Sequence, residues 1–133
     1  MRKEMIYTSG ACGNVSKKER DGWRNYINEY LTDLGFNVYH TNHHFNYEHD
    51  SDLPMKVIMD TFLSKIDECD IFLINLNNAA ISCGTNIEFG YALAKNKLIY
   101  GIRGDNTYPY LEERCSIIFN NIEEACDFIA RHF

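Results

Sequence analysis

The segment DIFLINL, residues 70 to 76, is nearly continuous in apolar residues and sits between polar neighbours. A strand with one wet face alternates apolar and polar residues. An unbroken apolar run of this length marks a strand covered on both faces, and such strands belong to parallel sheets layered between helices. The rest of the chain must therefore supply crossover helices.

It does so in order. Met5–Thr8 is short, apolar and β-prone, and the turn SGACGN follows it. Ser16 opens a run to about Leu34 in which Trp23, Ile27, Tyr30, Leu31 and Leu34 fall near helical spacing. Ser16 with Glu19 makes a capping-box pattern, and Gly35 is a stop signal. FNVYH reads as a second strand. TNHHFNYEHDSDLP has no period and reads as a loop, and Pro54 suits the first turn of a helix to about Glu68. After DIFLINL come the loop NNAAISCG, a helix from about Thr85 to Asn96, the strand KLIYGI, the weaker strand SIIF, and a helix from about Ile122 to His132. Strands alternating with helices predict an α/β fold: a doubly wound, Rossmann-like parallel sheet of five strands with right-handed crossovers. The 133 residues suit one domain, spanning 1–133, with no internal repeat or linker.

Composition excludes several functions. A net charge of −6 argues against binding a nucleic-acid polymer, which needs a basic face. No apolar run approaches the roughly 18 residues of a membrane helix, so no membrane partner is expected. The start, MRKEMIYTSG, lacks an apolar core of the secretory type. The five cysteines (Cys12, Cys69, Cys83, Cys115 and Cys126) are widely spaced and contain no CxxC pair, which fits reduced thiols in a cytoplasmic protein. The run HHFNYEHD has no ligand frame, so no metal site is expected.

In doubly wound sheets ligands bind at the carboxyl ends of the strands, near the point where strand order reverses. Two loops qualify, TSGACGN and NNAAISCGTN. In the first, Gly10 and Gly13 would let backbone approach an anion, and Ser9, Asn14 and free N–H groups near a helix start could hold a phosphate. The same glycines also suit a tight turn at positive φ. In the second, Thr85 and Glu88 have the spacing of a capping box. The functional reading is that Glu88 attacks a sugar carbon, because a carboxylate stabilises an oxocarbenium-like transition state and can collapse onto it as an ester.

IYTSGACGN, WRNYI, DIFLINL and SCGTNIEFGYALAKNKLIYGI together resemble the nucleoside 2-deoxyribosyltransferase family, which includes the nucleoside 5′-monophosphate N-glycosidases. The resemblance covers most of the chain in order and is most specific over residues 82 to 102. It implies a flavodoxin-like fold, a small-molecule nucleoside or nucleotide partner, no cofactor, and a homodimer or higher homo-oligomer. It implies that Glu88 is the nucleophile and that the Tyr7 hydroxyl contacts it. Gly84 and Thr85, beside Ser82, would line the substrate. Two departures stand out. Ser82 replaces an aspartate usual in the transferases and looks like the serine that contacts the 5′-phosphate in the monophosphate glycosidases. Phe62 occupies the position of a second family aspartate; Asp60, two residues earlier, is the catalytic substitute if the register shifts. Two rival readings remain: a nucleotide-binding module without turnover, and a TIR-like NAD glycohydrolase.

Overall fold

The computed structural model of the chain describes residues 4–12, 15–41 and 52–133. Five strands form one sheet: β1 (Met5–Ser9), β2 (Asn37–Tyr39), β3 (Ile71–Asn75), β4 (Leu98–Ile102) and β5 (Ile117–Phe119). Their order is β2-β1-β3-β4-β5, and every neighbouring pair runs parallel. The sheet is the flavodoxin-like one expected. β1 and β3 lie side by side in the middle, and the winding reverses between them.

The alternation of side chains along the central strands divides the core in two. Ile6, Ile71 and Leu73 pack on one face with Trp23, Ile27 and Leu31 of α1 (Lys17–Asp33) and Ala125 and Ile129 of the closing helix. Tyr7, Phe72 and Ile74 pack on the other with Ile58, Phe62 and Ile66 of α2 (Met55–Glu68) and Phe89 and Ala92 of α3 (Cys83–Ala94). Residues 71 to 74 are fully buried, as the apolar run requires. Each such aliphatic side chain stabilises the fold by about 2 kcal/mol.

α1 starts as expected: Ser16 accepts from the Glu19 backbone N–H at 3.1 Å. It stops at Gly35, whose φ of 94° lets Phe36 N–H return to the Leu31 carbonyl at 3.0 Å. The capping box does not close. The Glu19 carboxylate instead accepts from the side-chain amides of Asn77 and Asn78, at 3.2 and 2.6 Å, and so ties the start of α1 to the loop after β3.

Three differences from the sequence reading go beyond a shift of a residue or two at an element's end or bear on the site. β1 continues to Ser9, because its ladder with β3 pairs Ser9 with Ile74. α3 begins at Cys83, with Ser82 rather than Thr85 as its cap. A short helix, α4 (Pro109–Glu112), precedes β5, with proline in its first turn. The last helix, α5 (Ile122–His132), falls where its pattern placed it.

Candidate active site

Glu88 sits in the second turn of α3. The buried residues of that helix are Thr85, Glu88, Phe89 and Ala92, a core-facing stripe at i, i+3, i+4 and i+7. A carboxylate therefore occupies a position where packing calls for an apolar side chain. It is 7% exposed, and its Oε1 accepts a hydrogen bond from Ser9 Oγ at 2.7 Å. Burial pushes its pKa up to about 7; the Ser9 hydrogen bond, the Arg24 charge and Tyr7 all pull the other way. The capping-box reading of Glu88 is thus corrected. The cap lies three residues nearer the N-terminus than Thr85, where Ser82 Oγ accepts from the Thr85 N–H at 3.3 Å.

β1 brings two further groups to this carboxylate. Ser9 donates to it directly. Tyr7 is fully buried on the same face of the sheet, and its ring lies between those of Tyr39 and Phe72, at centroid distances of 5.3 and 5.6 Å. The strand register places the three aromatics side by side on β2, β1 and β3. The Tyr7 pKa lies well above the usual phenol value, through burial first and the Glu88 charge second. The phenol stays protonated, and its proton is available to an acceptor. The hydroxyl makes no hydrogen bond of regular geometry to a described residue, so its effect on Glu88 comes from proximity. Tyr39 is likewise pushed far up, by burial and then by Glu88.

Gly10 has a packing role that spacing did not reveal. A Cβ there would stand 2.6 Å from Cζ2 of Trp23. Close approach to the indole, not positive φ, is what requires glycine. Gly13 and Asn14 lie outside the described residues, as does the whole HHFNYEHD run.

Ser82 and Thr85 form a pair, their hydroxyls 2.8 Å apart. The Asn86 side-chain amide donates to the carbonyls of Ala79, Ala80 and Ser82 at 3.2, 3.2 and 2.9 Å, which fastens the loop before α3 to the helix. A Cβ added at Gly84 would meet Met59 Cε first, 3.7 Å away, so the backbone there is uncrowded.

Asp60 does not join the cluster. It pairs with Lys56 at 2.5 Å on the solvent side of α2, and its side chain is 58% exposed. Ile58 and Phe62, each two residues away, point into the core, and two residues turn a helix by about 200°. Phe62 is 5% exposed and packs edge-on against Tyr39 at 6.4 Å. The register shift that would bring Asp60 inward does not occur, because Ile58, Phe62 and Ile66 already fill the inner face.

One member of the site escaped the sequence reading. Arg24 of α1 is 1% exposed, and it donates to the Gly10 carbonyl at 2.9 Å and to the Arg20 carbonyl at 2.6 Å. The signal was present: Arg24 precedes Ile27 by three and Leu31 by seven, so it shares their inward face.

A parallel α/β domain that buries a carboxylate at the end of its central strands, where the winding reverses, belongs to the class that binds small ligands over the strand ends. A sequence model of the nucleoside 2-deoxyribosyltransferase family matches residues 6–122. The chain belongs to that family. Solved structures of similar fold include a CMP N-glycosidase from Clostridium botulinum, at 17% identity and a TM-score of 0.64, covering 98% of this chain and 100% of that one. A 2-deoxyribosyltransferase from Bacillus psychrosaccharolyticus aligns at 15% identity and a TM-score of 0.73, covering 92% and 90%. One from Leishmania mexicana aligns at 15% identity and 0.71, covering 98% and 99%. A search of curated proteins by sequence finds no significant match.

Proposed function

We propose that the chain cleaves the N-glycosidic bond of a nucleoside or nucleoside 5′-monophosphate. The observation that carries this is the buried Glu88, held by Ser9 beside Tyr7 at the carboxyl end of β1. In this reading the Glu88 carboxylate attacks C1′, and the C1′–N bond breaks as the carboxylate–C1′ ester forms. The base departs with the bonding electron pair and takes a proton at a ring nitrogen. Water or a second base then attacks C1′, releases the sugar and returns Glu88 to its carboxylate. Tyr7 and Ser9 orient the carboxylate. The Gly10 turn with Gly13 and Asn14, and Ser82, Gly84 and Thr85 at the start of α3, bind the substrate. A 5′-phosphate would meet Ser82 and the positive end of the α3 dipole. No step needs a cofactor.

The exposed apolar surface supports a homo-oligomer: on α3 it forms one stripe. That stripe, Cys83, Ile87, Gly90 and Ala94, is exposed and carries no charge. Met55 and Val57 at the start of α2, and Ile81 just before α3, are exposed as well, Met55 by 71%.

Incubation with deoxynucleosides, deoxynucleotides and cytidine monophosphate, with chromatography for free base, tests the reaction. Base release should fall at least about a thousandfold in Glu88→Ala, as for loss of a covalent nucleophile. Equal release by the variant sinks the assignment. A preference for nucleotide over nucleoside that Ser82→Ala abolishes would support phosphate recognition. Phe62 favours a second reading, nucleotide binding without turnover, because an aromatic ring fills a position where the family resemblance leads one to expect a carboxylate. Calorimetric binding of a nucleotide with no product would select that reading.

A further inference from the structure

The buried polar groups of the described residues include one carboxylate, Glu88, and one guanidinium, Arg24. They reach the end of β1 from opposite faces of the sheet, since α1 and α3 pack against different core clusters. Two consecutive residues hold them. Ser9 Oγ donates to Glu88, and the Gly10 carbonyl accepts from Arg24 Nη2. The Arg24 Nε is also buried and has no hydrogen-bond partner among the described residues. A cation enclosed this way, with carbonyls as its hydrogen-bond acceptors, costs several kcal/mol unless an opposite charge lies within reach.

We propose that Arg24 is a positioning residue of the site: its guanidinium, anchored on the Gly10 carbonyl, is the buried counter-charge that favours the ionised form of Glu88, and the same anchor fixes the turn that aims Ser9 at the carboxylate. The inference rests on Glu88 being the reactive group. Electrostatics agree, because the Arg24 charge lowers the Glu88 pKa against the upward push of burial. Among the described residues, the other titratable groups acting on Glu88 are Tyr7 from β1 and Tyr39 from β2, both held protonated. The inner face of α2 presents Ile58, Phe62 and Ile66, which carry no charge. Arg24 is therefore the cation among the described groups that act on this carboxylate.

The test is a carbon-13 NMR titration of the Glu88 carboxyl in the full chain. Arg24→Gln removes the charge and keeps a donor for the Gly10 carbonyl; Arg24→Lys keeps the charge and loses the planar fork. The Glu88 midpoint should rise by about one pH unit in Arg24→Gln, as expected for loss of a nearby opposite charge, and stay near the wild-type value in Arg24→Lys. The acid limb of base release should move with it. A midpoint unchanged in Arg24→Gln overturns the proposal. A readout on the wild-type protein guards against a variant that fails to fold. The Arg24 Nε–H resonance should titrate with the Glu88 midpoint and stop doing so in Glu88→Gln; a resonance indifferent to both also overturns it. Neither titration needs turnover. Absence of base release in the wild type would remove the glycosidase reading and leave this charge pairing standing.

Discussion

Glu88 is a charged residue on an inward helix position, and its energetics follow from that. Burial raises its pKa to about 7, whereas an unfolded glutamate ionises near 4.5. If the carboxylate is the nucleophile, kcat/KM for base release should climb about tenfold per pH unit below 7 and level off above it, with one proton involved. A pH-independent rate between 5 and 8 would contradict this. The same shift has a stability consequence of opposite sign to the usual carboxylate case. Between the two pKa values the folded state keeps the proton and the unfolded state has lost it, so stability falls as pH rises from about 4.5 to 7. Glu88→Gln should be more stable than wild type at pH 8, by an amount on the order of 2–3 kcal/mol that shrinks toward pH 5. Paired thermal melts at the two pH values measure it. Gly10→Ala makes a different claim at the same scale. Its new Cβ overlaps the Trp23 ring, and overpacking of this kind costs about 1–3 kcal/mol, read as a lower midpoint in urea.

At the scale of elements, α3 and α2 explain the two departures from the sequence reading. The Thr85-to-Glu88 spacing is that of a capping box, and local pattern could not tell it from an inward stripe. The cap moved to Ser82 because the Ser82 hydroxyl meets the Thr85 N–H, and Glu88 then fell one turn deeper on the face that packs against β1. In α2 the stripe Ile58, Phe62 and Ile66 was legible from its period of four, and it excludes Asp60 from the interior by geometry alone. Placing a carboxylate at the Phe62 position should therefore not rescue the missing aspartate. Phe62→Asp removes an aromatic buried against Tyr39 and encloses a second negative charge near Glu88; we expect a loss of about 3 kcal/mol or more and no gain in base release. Circular dichroism melts with a base-release assay decide this. A stable, faster variant would show that the site tolerates the second carboxylate.

At the scale of the whole molecule, α3 has two faces with different fates. Its inner face holds Glu88 against β1, and its outer face, Cys83, Ile87, Gly90 and Ala94, is uncharged and exposed. Ile87, 46% exposed, is the largest side chain of that stripe. If a second copy covers it, Ile87→Glu should convert the assembly to monomer in sedimentation velocity, with the far-ultraviolet spectrum unchanged; a wild-type monomer would remove the oligomer from the account. The amino-acid order by itself determined the five-strand parallel sheet, the long helices that flank it, and the two loops at its carboxyl edge. Those properties depend on periodicities and turn residues spanning a few positions, and each segment carries them alone. It also placed Glu88 and Tyr7 in the candidate set through short stretches of resemblance. Only the tertiary structure decided that Ser9 donates to Glu88, that Trp23 demands glycine at position 10, and that Arg24 comes within electrostatic reach of the carboxylate. Each of these joins residues distant in sequence, and packing of the α1 and α3 layers onto opposite sides of β1 is what brings them together.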